Sequence, residues 1–171
     1  MIWFFCFEET DNIFLHAFVE RLKTEIGAES LRYERLYDRS QYFFLVDQVE
    51  LKVEFSRYPF KQLEDVKFVG GARVDSFRDV AANKLMALID RFDPKDFVDM
   101  FFILKKAKIT NIRTDVELKF GMKIDNIFLG GELAKAKRIE ALPQMIRPVT
   151  KEELKTFFGE LAKELSTEIF M

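Results

Sequence analysis

The chain has 171 residues, 49% of them hydrophobic and 33% charged, with a formal net charge of −2 and a single cysteine, Cys6. That balance is globular rather than disordered and gives enough chain for a real core. It excludes an internal disulfide framework and a chain-wide basic surface for nucleic acid, so any nucleic-acid contact must be a local patch. No apolar run reaches the roughly 18 residues of a membrane helix. The lone thiol fits a reducing cytoplasm, and no membrane partner is expected.

Residues 2–7 are continuously apolar and too short, without a basic flank, for a signal peptide; they read as a strand. Asp11 or Asn12 can cap a helix over 13–26, with Phe14, Phe18, Leu22 and Ile26 as its apolar stripe and Gly27 as its stop. Strands follow at 30–37, 42–46 and 49–58, with turns at 38–40 and 47–48. In the last strand Val49, Leu51, Val53 and Phe55 alternate with Glu50, Lys52, Glu54 and Ser56, a meander with one buried and one polar face.

Residues 59–71 read as a connector ending in a Gly70-Gly71 turn; no Lys-Ser or Lys-Thr follows, so a phosphate loop is the weaker reading. Asp75 or Ser76 starts a helix, Asp93-Pro94 breaks it, and a second helix runs to about Lys106. Thr110 or Asn111 is the expected cap of a shorter helix ending near Gly121. Asp125 opens a weak segment that Gly130-Gly131 should interrupt. Thr150 and Glu153 form a capping box before a final amphipathic helix through about Leu165. The fold class is therefore α+β, with a β-rich region over 1–72 and a helical region over 73–171.

The informative stretch is 79–99. Asp79, Lys84, Arg91, Lys95, Asp96 and Asp99 punctuate an otherwise apolar helix-turn-helix. Lys84 and Arg91 are two helical turns apart and point the same way. Lys95 and Asp99 are spaced as an i,i+4 pair. Arg91 with Asp96 or Asp99 suits a bridge between the helices, and Lys84 interrupts an apolar face and needs a charged partner. Each group also has a purely structural reading: Asp96 at a helix N-terminus, Lys95 with Asp99 as a surface pair, Glu54 as the wet side of a strand. His16 stands alone, and Cys6 lacks any nucleophile context. Phe101, Phe102, Phe157 and Phe158 read as core.

The segment LKVEFSRYPF at 51–60, with Asp79, Lys84, Arg91 and the Lys95-Asp96…Asp99 motif at their spacing, resembles the AbiEii/AbiGii toxin family. The resemblance spans roughly 2–105. It implies a nucleotidyltransferase fold, related to DNA polymerase beta, and a place in a toxin–antitoxin or abortive-infection pair. It implies transfer of a nucleotidyl group from an NTP to a hydroxyl acceptor such as RNA, with Mg²⁺ held by carboxylates. It assigns Glu54, or less readily Glu50, as the strand carboxylate and metal ligand. It makes Lys84 and Asp96 catalytic with Glu54, puts Lys84, Arg91 and Lys95 on phosphates, and adds Asp79 and Asp99 to the motif. The chain departs from the pattern at its start. The family's paired aspartates would fall at Met1 and Trp3, after a Gly-containing motif, and neither residue can bind a metal. A start placed too far downstream, or a decayed gene, would each leave the chain inactive as written. The alternative is a non-catalytic remnant that binds a protein or oligomerises, with an antitoxin-like protein or a second copy as partner. A weaker reading uses Lys105, Lys106, Lys108, Lys119, Lys123, Lys135, Lys137 and Arg138 for nucleic acid, although these suit solvated helix faces.

Overall fold

A computed structural model describes residues 2–6, 11–37 and 39–167. It divides into two compact units, Met1–Phe60 and Lys61–Met171.

The first unit holds β1 (Ile2–Cys6), α1 (Asn12–Glu25), β2 (Ser30–Leu36), β3 (Arg39–Val46) and β4 (Val49–Arg57). The strands form one mixed sheet in the order β1-β4-β3-β2; the three-strand meander is antiparallel and β1 joins it parallel to β4. Asp11 caps α1, its carboxylate accepting from Ile13 N at 2.8 Å. The helix buries Leu15 and Val19, with Leu22 and Ile26 half-buried, over Tyr42, Phe44 and Val53. The expected stripe thus holds at 22 and 26 but shifts at its start, leaving Phe14 and Phe18 exposed. Tyr42 donates or accepts at His16 Nδ1 (3.2 Å), and burial, then the neighbouring Tyr33, pushes its phenol up to about 12. His16 is therefore engaged in an aromatic contact. β3 begins at Arg39, earlier than expected, because Leu36 and Arg39 pair directly across a two-residue turn; Asp38 lies outside the described residues. At the next hairpin Asp47 and Gln48 both take positive φ, 49° and 65°, the type I′ geometry that a two-residue loop needs.

The second unit begins with a hairpin, β5 (Lys67–Val69) and β6 (Ala72–Val74), where the sequence suggested only a connector. Gly70 and Gly71 make its turn, with φ of 57° and 82°. The strands are three residues each and too short to show a period. Five helices follow: α2 (Phe77–Asp90), α3 (Pro94–Leu104), α4 (Ile109–Phe120), α5 (Asn126–Ala134), which tightens into a 3-10 turn (Lys135–Arg138), and α6 (Lys151–Thr167). Ser76, Asp93 and Asp125 cap α2, α3 and α5 through side-chain oxygens. Two expectations change. α4 starts at Ile109 with Lys108 at its cap position and no side-chain cap bond, because Ile109, Ile112 and Val116 must share the buried face. α5 runs through Gly130-Gly131 unbroken. Gly130 lies against α6, where an added Cβ would meet the Ala162 carbonyl at 3.5 Å, an ordinary contact, and the helix continues because Leu129 and Leu133 on either side are buried in the core. Thr150 and Glu153 form the expected box, Glu153 N donating to Thr150 Oγ1 at 3.1 Å and Thr150 N to Glu153 Oε2 at 2.7 Å. Phe97 and Phe158 meet edge to face at 5.3 Å in the core; Phe101 is buried beside Phe157, and Phe102 packs at the margin.

Candidate functional site

The charged groups at 79–99 sort into two clusters within the helical unit. The first lies at the turn between α2 and α3. Proline at the start of α3 and the Asp93 cap set its first turn, which puts Asp96 inward against the end of α2. Asp96 is 0% exposed. Arg91 Nε donates to its Oδ2 at 3.0 Å, and Lys84 Nζ reaches its Oδ1 at 3.4 Å. Lys84 also bonds Asp99, one turn further along α3. The hydrogen bond from Arg91 to Asp96 raises the guanidinium pKa, against partial burial that opposes it. One buried carboxylate thus holds two cations whose outer surfaces stay accessible, Lys84 at 32% and Arg91 at 46%. The Arg91–Asp96 bridge matches the sequence reading. The Lys95–Asp99 pairing does not form as drawn, since Asp99 turns to Lys84, while Lys95 is exposed at the helix start.

The second cluster centres on Asp79, also 0% exposed. Lys119 Nζ on α4 donates to it at 2.5 Å, Ser76 Oγ at 2.7 Å and Leu63 N at 3.0 Å, with Glu64 N at 3.4 Å. Burial would raise this carboxyl, but the donors from Lys119, Leu63 and Ser76 outweigh it and hold its pKa low. Both atoms of the pair are withdrawn from solvent, Lys119 at 1% and Asp79 at 0%. Lys119 was grouped with solvated basic faces, and its burial corrects that. The signal that could have found it is its place on the apolar face of α4, one turn after Asp115 and Val116. Asp115 in turn takes Arg78 Nε at 3.1 Å. These pairs pin the segment before the hairpin to α2 and α4.

Glu54 lies in the sheet unit and is 1% exposed, although its face of the strand was expected to be wet. Gln41 Nε2 and Lys52 Nζ reach its Oε2 at 2.9 Å each, Ser56 Oγ its Oε1 at 3.2 Å, and Arg39 stands at 3.6 Å. Burial would raise its pKa, but the bonds from Lys52 and Ser56 and the Arg39 charge hold it low. Glu50 is at the exposed end of the strand, beside Arg32 at 3.4 Å. Trp3 pairs directly opposite Glu54 across β1 and β4. The position that the resemblance gives to the second paired aspartate thus adjoins the strand carboxylate.

Mg²⁺ takes about six oxygens in an octahedron and keeps some as water. Among the described residues no three of His, Cys, Asp and Glu gather in a group that could hold a metal. Glu54 has both oxygens engaged by donors, two of them near full cations. The donor set around Glu54 does not fit Mg²⁺ as arranged.

No helix among the described residues is long and apolar enough to cross a membrane. The fold is similar to that of JHP933 from Helicobacter pylori, at 17% identity and a TM-score of 0.58, covering 97% of this chain and 75% of that one. It is also similar to a "putative nucleotidyltransferase" from H. pylori, at 16% identity and a TM-score of 0.57, covering 97% of this chain and 77% of that one. No curated protein matches the chain. The family model described as "Nucleotidyl transferase AbiEii toxin, Type IV TA system" matches residues 8–170, nearly the whole chain. The chain therefore belongs to the AbiEii nucleotidyl transferase toxin family.

Proposed function

We propose that the chain is the toxin of a toxin–antitoxin pair and carries the phosphate-binding part of an enzyme that moves a nucleotidyl group from an NTP to a hydroxyl of RNA once paired metal-binding aspartates stand at positions 1 and 3. The observation that carries this reading is the Lys84–Asp96–Arg91 arrangement in a chain of this family. Phosphoryl chemistry needs cations fixed in advance where charge gathers, and a buried carboxylate that grips both cations supplies that order. In the proposed reaction the acceptor hydroxyl oxygen attacks the α-phosphorus, the bond to pyrophosphate breaks, and the hydroxyl proton passes to solvent. Lys84 and Arg91 bind the triphosphate and take up the charge on the leaving pyrophosphate. Lys95, exposed beside them, adds to the same field. Asp96 touches neither reactant; it is a positioning residue for the two cations. Glu54 keeps the carboxylate position of the resemblance, while Asp79 holds α2 in place. A cognate antitoxin is the implied partner, and a cytoplasmic site of action follows from an RNA acceptor.

The test is incubation of the purified chain, carrying Trp3→Asp and an aspartate at position 1 behind an added start, with Mg²⁺, each α-labelled NTP in turn, and total cellular RNA. Label entering RNA from a preferred NTP is expected. No label from any NTP would remove the transferase reading.

A second reading, a non-catalytic protein that oligomerises, has one observation in its favour. Phe4, Ile13, Phe14 and Phe18 of the sheet unit are all exposed apolar side chains. Light scattering decides it: a monomer at high concentration counts against a self-associating role.

A further inference from the structure

The groove between α2 and α3 extends well past Lys84. Phe77, Val80 and Lys84 line it from α2, Asp99, Phe102 and Ile103 from α3, and Lys106 from the turn just after α3. Arg147, in the loop before α6, also lines it, and the open cleft is about 280 Å³. Phe77 and Lys106 line the same cleft, and Phe77 lies seven residues, roughly 10 Å, from Lys84 along α2. Phe77 and Val80 are exposed, so the groove has an apolar floor with a ring at its mouth. Three cations face one carboxylate, and that carboxylate, Asp99, is already bonded to Lys84. Lys106 and Arg147 are exposed and make no ion pair among the described residues. A polyanion with flat apolar faces fits this lining: phosphates meet the cations while bases lie against the rings.

Direction along α2 separates two ligands. Arg91 lies two turns from Lys84 toward the C-terminus of α2, whereas Phe77 lies two turns the other way. On the reading proposed above, the triphosphate occupies the Lys84–Arg91 side. We infer that the groove running from Lys84 to Phe77, Lys106 and Arg147 seats the single-stranded acceptor end of the RNA. This rests on that reading for the identity of the acceptor, but the seat itself is a binding property and needs no turnover.

The experiment is fluorescence anisotropy of a 5′-labelled, single-stranded oligoribonucleotide with a free 3′-hydroxyl, titrated with the full chain at several salt concentrations. Lys106→Ala with Arg147→Ala should weaken binding at low salt by about ten-fold or more and flatten the log–log salt slope by roughly 1.4, at ~0.7 per lost phosphate contact. Phe77→Ala should weaken binding about ten-fold with the slope intact, as loss of stacking does. Lys137→Ala with Lys163→Ala, exposed residues of another groove, should leave both unchanged. Equal losses in the two double variants would reduce the effect to overall charge and overturn the proposal. So would a wild-type chain that binds no oligoribonucleotide, or a parallel loss of ATP affinity in the Lys106/Arg147 variant, which would give the groove to the nucleotide. A chain that binds RNA as described but, with the paired aspartates restored, transfers no label leaves the seat standing and removes the transferase reading alone.

Discussion

Asp79 and Asp96 are both fully buried aspartates of one motif, yet their surroundings give them different work. Asp79 is enclosed with Lys119 and saturated by donors from Ser76, Leu63 and Glu64. Removing one partner of such a pair leaves an uncompensated buried charge, which costs about 3–5 kcal/mol. Asp79→Ala should therefore lower stability by that order in urea unfolding, whereas a change under 1 kcal/mol would show that Lys119 escapes to water. The pH dependence follows from the same contacts. The folded pKa of Asp79 is depressed, so its contribution is present above the unfolded value of about 3.9 and is lost as pH falls through the folded value. Glu54 adds in the same sense from about 4.3. Stability should hold on the neutral side and fall below about pH 4, with a shallower acid slope in Asp79→Asn. From sequence, the spacing of Asp79, Lys84, Arg91, Asp96 and Asp99 was legible, and so was the Arg91–Asp96 bridge. The partners Lys119 and Leu63 N were not, because they come from segments 40 and 16 residues away whose approach depends on helix packing.

The elements followed their local chemistry where caps and periods were strong. Asp93-Pro94, Ser76 and the Thr150 box placed their helices, and period-two alternation placed β4. Misses fell where tertiary packing overrides local preference. Gly130-Gly131 continues a helix because the flanking Leu129 and Leu133 are buried in the core, and Ile109 enters α4 because the core takes it. Three-residue strands in the 67–74 hairpin carry too little pattern to be read. The β3–β4 turn yields a prediction of its own. Gln48 holds a φ of 65° without being glycine, a conformation costing roughly 1 kcal/mol for a residue with a Cβ. Gln48→Gly should raise the denaturant midpoint with an unchanged m-value, by up to about 1 kcal/mol after the entropy of the added glycine is offset. A lower midpoint would mean that the strained turn is held by contacts of the glutamine side chain.

Among the described residues, five buried side chains form the core cluster of the sheet unit, while the helical unit buries a larger cluster from Ala81 to Leu165. Apolar burial drives stability, so the sheet unit should unfold first. Trp3, the sole tryptophan, belongs to the sheet unit, and most of the helix belongs to the other. Tryptophan fluorescence should therefore change at lower urea than ellipticity at 222 nm. Coincident transitions would show a single cooperative molecule.

On the function proposed above, Lys84, gripped by the buried Asp96, acts on the nucleotide and not on the fold. The most direct measurement is label transfer from α-labelled NTP to RNA by Lys84→Ala beside its wild-type parent, both carrying the restored aspartates at positions 1 and 3, with urea unfolding of both. Lys84 is a third exposed, so the variant should keep its midpoint to within about 1 kcal/mol while transfer falls about 100-fold or more. Transfer at the wild-type rate from a folded Lys84→Ala variant would contradict the account.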